Sequence, residues 1–159
     1  METKDSNPHP LIAHSLQHAA HRRQPVGRHT LQAAIALEHV RPQNAGQTEW
    51  GRIADLHGLL NRVDDVPAQR IAWAVAAGRA HGPRRGLKIL DGVRNGENSY
   101  LFHAARADLL KAAGQLAAAR SAYARATALA PGDTERAALT GKRQALVDER
   151  TSDEPPATS

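Results

Sequence analysis

The 159-residue sequence predicts an all-α fold, with antiparallel helix hairpins, about eight helices in all, stacked side by side as an α-solenoid. Three observations carry that expectation. Aromatic residues make up only 3% of the chain, so a core must come from Ala, Leu, Ile and Val, which suits closely packed helices better than a sandwich or barrel. Between Tyr100 and Pro131, small and large residues recur at the offsets two packed helices require. Ala107, Ala119 and Ala126 are small enough for backbones to approach, and Leu110, Leu116 and Tyr123 fill the space beside them. Finally, Gly82 and Gly114 mark turns one hairpin apart along the chain.

Taken in order, residues 1–10, with Asn7, Pro8 and Pro10, read as a disordered lead, residues 11–148 as the helical domain, and residues 149–159, with Asp153-Glu154-Pro155-Pro156, as a disordered tail. A first helix is expected from Leu11 to Arg22 and a second from His29 to Arg41, with Pro25 and Gly27 between them and Pro42 closing the hairpin. Thr48 suits the N-cap of a third helix, Glu49 to Arg62, whose apolar stripe is Trp50, Ile53, Leu56 and Leu60. Pro67 belongs in the first turn of a fourth helix that runs to Ala80 with Ile71, Ala74, Val75 and Gly78 inward. His81-Gly82-Pro83 then stops one helix and starts a fifth, which carries Leu87, Ile89 and Leu90 to Val93. The sixth and seventh span Tyr100 to Pro131 around Gly114. An eighth, from Asp133 or Thr134 to Asp148, offers Ala138, Leu139, Ala145 and Leu146 as a capping face.

The Tyr100–Pro131 pattern is that of one tetratricopeptide repeat, and the earlier unit around Gly82 is similar in geometry but degenerate in signature. A more extended resemblance rests on ordered blocks from Leu11 to Leu146. They are Leu11-Ile12-Ala13, Leu31-Gln32-Ala33-Ala34-Ile35-Ala36 with His39, Thr48-Glu49-Trp50 with Ile53 and Leu56, Ala80-His81-Gly82-Pro83, Gly86-Leu87, Leu90-Asp91, and the run from Tyr100 to Leu110. These blocks resemble the C-terminal, tetratricopeptide-like helical extension of large bacterial extracytoplasmic-function (ECF) RNA polymerase sigma factors. The resemblance implies an interaction module in transcription regulation, without the upstream regions that bind polymerase and read promoters. The family's usual Asn-Arg pair falls on Ala72 and Trp73, and its usual Tyr on His29, so any contact made by that pair is lost here. The implied partners are RNA polymerase, a sigma factor or a signalling protein. The alternative within the family is a truncated or mis-started sigma factor fragment with no activity of its own.

Other function classes find little support. The chain has no cysteine, hence no disulfide, thiolate metal site or thiol nucleophile. No nucleophile elbow, phosphate-cradling glycine loop or spaced carboxylate pair is present, so neither catalysis nor a cofactor is expected. With no signal core or membrane-spanning run, the expected location is cytoplasmic. The net charge is +5, but the densest basic pairs, Arg22-Arg23, Arg84-Arg85 and Lys142-Arg143, are scattered, and direct DNA contact is not expected. His14, His18 and His21 share one face of the first helix. They span about 10 Å by helical rise, too far for one tetrahedral ion to take all three, so a small helical metal-binding protein or enzyme is the lesser alternative. For partner binding the candidates are Trp73 at the edge of its helix, and Arg106 with Asp108 on a helix lining a concave groove. Trp50 is expected to be a core or inter-helix wedge.

Overall fold

In a computed structural model the chain is described over residues 27–40 and 49–152, with side chains to residue 148. Those residues form seven α-helices: α1 (Arg28–Val40), α2 (Trp50–Val63), α3 (Pro67–His81), α4 (Pro83–Leu90), α5 (Tyr100–Ala112), α6 (Leu116–Leu129) and α7 (Asp133–Ser152), with a 3₁₀ turn at Gly96–Asn98 before α5. Among the described residues there is no strand. Each helix packs against the next along the chain, and α3 also reaches α5. The expected helix from Leu11 to Arg22, the lead over residues 1–10, the Thr48 cap and residues 153–159 lie outside the described residues.

Local chemistry explains the boundaries. Pro67 and Pro83 open α3 and α4, where a missing N–H costs nothing and the fixed φ is already helical. Ser99 caps α5, its hydroxyl accepting from the Phe102 N–H at 3.3 Å. The end of α5 is a Schellman turn: Gly114 has φ +75°, its N–H donates to the Lys111 carbonyl, and the Gln115 N–H donates to the Leu110 carbonyl. Most ends lie within a residue or two of expectation, and two differ by more. Helix α4 stops at Leu90 rather than Val93, because the Gly92 and Val93 amides reach back only three residues, to Ile89 and Leu90, and tighten the chain into a turn. Helix α7 continues to Ser152, four residues past the expected end and into the segment read as a disordered tail.

Three apolar clusters run through the stack. The first joins Leu31 and Ile35 of α1 to Leu60 of α2. The second gathers Ile53, Ala54, Ile71, Ala74, Ala77, Ile89 and Leu90 with Ala105 and Leu109 of α5. The third uses the other side of α5, Ala107 and Leu110, with Ala119, Tyr123 and Ala126 of α6 and Leu139 and Leu146 of α7. Helix α5 is therefore buried on two faces and divides the molecule. Ala107, Ala119 and Ala126 are fully buried, as close approach of two helices requires. Among the described side chains of α7 only Leu139 and Leu146 are buried, while Ala138 and Ala145 are exposed. The expected four-residue face is thus a single line of contact two turns apart.

Between α3 and α4 the backbones come closer still. A Cβ added at Gly86 would stand 2.6 Å from the Ala74 carbonyl oxygen and 3.0 Å from the Gly78 Cα, so glycine is required there by the approach itself.

Candidate protein-docking site

Helices α2, α3 and α4 leave a cleft of about 350 Å³. From α2 come Ala54, Asp55, Gly58, Leu59 and Arg62; from α3 come Trp73, Ala77 and His81, one helical turn apart each; from α4 comes Arg85. The Trp73 indole lies along α2 at Gly58, where an added Cβ would meet its Nε1 at 3.4 Å. The floor is apolar because Ala54 and Ala77 are buried in the central cluster. The rim is open: Leu59 is 46% exposed, and Val63, one turn further along α2, is 51% exposed. Arg62, His81 and Arg85 are exposed on the same rim and make no ion pair or side-chain hydrogen bond among the described residues.

Trp73 thus occupies a site that could hold a partner's side chain, as its edge position suggests. Arg106 and Asp108 lie elsewhere and do structural work. Arg106 donates to Asp91 at 2.9 Å, fastening α5 to the end of α4. Asp108 accepts from the Tyr123 hydroxyl and, on both oxygens at 3.1 Å, from Lys142 Nζ, joining α5, α6 and α7. Burial first, and the Asp108 carboxylate second, push the Tyr123 hydroxyl far above the ordinary tyrosine range, so it stays a donor at any physiological pH. The structure does not bring the three candidates into one site. Leu59, Arg62 and Arg85 are among the cleft residues that sequence reasoning did not mark for partner binding. Leu59 and Val63 carried a signal, an apolar i, i+4 pair off the buried stripe of Ile53 and Leu60.

Trp50 is partly buried as a wedge between helices, with the Arg79 guanidinium 4.7 Å above its ring and His39 edge-on at 6.3 Å. Helices α1 and α2 also hold an unexpected polar interior. Glu38 is 2% exposed and pairs with Arg52 at 3.3 Å, and His57 and Asn61, one turn apart on α2, are also buried. His57 Nδ1 and Asn61 Oδ1 have no hydrogen-bond partner among the described residues. Burial is the main reason the His57 pKa falls below its ordinary value; the charge of His39 lowers it further, and the Gln69 amide acts in the opposite direction. A second, smaller cleft beside Arg70 and Gly92 is less available, since Arg70 is paired with Asp65 at 2.9 Å. Among the described residues no group of three or more His, Asp or Glu is arranged to hold a metal ion, and the His14, His18 and His21 face lies outside them. Nor is any helix among them long and apolar enough to cross a membrane.

An uncharacterized protein of Rhizobium meliloti (strain 1021) is 34% identical to this chain over 132 residues, covering 80% of the chain and 31% of the relative. The chain therefore spans less than a third of the relative it matches. No protein-family profile matches, and no solved structure does.

Proposed function

We propose that the chain is a protein–protein interaction module related to the C-terminal, tetratricopeptide-like regulatory domain of ECF RNA polymerase sigma factors, acting in the cytoplasm in transcription regulation. It engages RNA polymerase, a sigma factor or a signalling protein by surface complementarity and carries out no chemistry of its own. The observation that carries this reading is the cleft beside Trp73, where an aromatic floor, exposed aliphatic side chains and cations without an ion pair among the described residues meet on three packed helices. Interfaces draw most of their energy from such Trp and Arg anchors.

Two further observations support it. Of the repeat-like positions of Tyr100–Pro131, Ala107, Leu110, Ala119, Tyr123 and Ala126 are buried between the two helices of a hairpin, the unit from which stacked binding scaffolds are built. The relative is about three times as long as the matched segment, which suits a module that works beside other segments. The test is titration of labelled full chain with purified bacterial RNA polymerase core, with an ECF sigma factor, and with both together. Saturable binding in at least one titration is expected; no binding in any of the three overturns the transcription reading.

A further inference from the structure

We propose that the occupant of the Trp73 cleft is an acidic segment of a partner protein that seats one large apolar side chain against the indole. This rests on the reading of the chain as an interaction module and adds the chemistry of what it binds. The charge distribution decides the sign. Residues 67–90, all of α3 and α4, contain Arg70, Arg79, Arg84, Arg85 and Lys88 and neither Asp nor Glu. Arg70 is used by Asp65 and Arg79 by the Trp50 ring. Arg84, Arg85 and Lys88 are exposed on α4 without an ion pair among the described residues, and Arg62 extends the same sign onto α2. One carboxylate, Asp55, lines the cleft.

The apolar part of the site decides the class. A cleft of about 350 Å³ floored by Trp73, Ala54 and Ala77, with Leu59 and Val63 exposed at its side, fits an aliphatic or aromatic side chain. A nucleic acid would instead require a longer cationic track for successive phosphates. An acidic helix or strand with one Leu, Phe or Trp satisfies both halves, its carboxylates reaching Arg62 and Arg85 in charge-assisted hydrogen bonds.

The test uses the full chain and a display library of random dodecapeptides, followed by fluorescence polarisation on the enriched peptides. Peptides with net negative charge and a large apolar residue are expected to emerge. Their affinity should fall at least about tenfold on Arg62→Glu with Arg85→Glu, and on Leu59→Gln, all of them exposed positions whose change leaves the thermal melt in place. Replacing the peptide carboxylates by Lys should restore binding to the charge-reversed variant. Neutral or basic winners, no enrichment, or binding indifferent to charge reversal would each overturn the proposal. So would tighter binding of random duplex DNA at the same arginines, or a gain in peptide affinity on removing residues 153–159, which would make the chain's own acidic end the occupant. Polymerase or sigma binding that survives charge reversal removes this docking mode alone. Acidic-peptide binding with no polymerase or sigma binding removes the transcription partner and keeps the cleft.

Discussion

The two sides of α5 are built on different physical terms. Toward the C-terminus, α5, α6 and α7 meet through fully buried alanines, with Leu110, Tyr123, Leu139 and Leu146 around them, and their polar tie, Asp108 with Tyr123 and Lys142, sits at the edge. Toward the N-terminus, α1, α2 and α3 bury Glu38, His57 and Asn61 beside Leu31, Ile35 and Leu60. A seam of small residues is specified by size and is indifferent to pH and charge. A polar interior holds only while its groups stay paired or neutral, and the cleft, whose arginines have no ion pair among the described residues, lies on this second side.

The sharpest break falls within the N-terminal half, where α3 and α4 meet. Gly86→Val would drive a side chain into the Ala74 carbonyl and the Gly78 backbone and pry α3 from α4. A loss of about 3 kcal/mol, or roughly 10 °C in melting temperature, is expected by thermal denaturation. Asp108→Ala comes next. It leaves the Tyr123 hydroxyl buried without its acceptor and frees Lys142, at about 1–2 kcal/mol, with the helical content unchanged by circular dichroism because the alanine seam remains.

Acid should separate the two halves. The His57 pKa is lowered in the folded chain, so below the ordinary imidazole value of about 6.5 the unfolded chain binds more protons and stability falls as pH falls. Melting between about pH 7.5 and about pH 5.5 should show a smaller decline in His57→Gln than in the unaltered chain, and hydrogen exchange should show the acid-induced loosening in α1 to α3 before α5 to α7. The smallest effect belongs to Arg106→Ala. Its pair with Asp91 is 39% and 62% exposed, and less than about 0.5 kcal/mol should be lost.

The same contrast explains what the sequence made legible. The hairpin from Tyr100 to Pro131 could be read because each helix-contact position has a size requirement that one residue type meets, and Gly114 sits where a left-handed residue is needed. The polar interior could not, because Glu38, His57 and Asn61 look like solvent-facing residues until their partners are known. Of the candidate site, Trp73 was visible as an aromatic off the buried stripe. The pairing of Asp108 was not, since Lys142 lies 34 residues further along the chain and only the fold brings them together. The Gly86 contact is hidden for the same reason: its neighbours belong to the preceding helix.

Hydrogen exchange on the full chain, with and without saturating RNA polymerase and ECF sigma factor, tests most directly whether this is an interaction module that works through its polar half. The account predicts slowed exchange over residues 54–62 and 73–85, which line the Trp73 cleft, and little change in α6 and α7. Protection confined to α5, α6 and α7, or none anywhere, would contradict it.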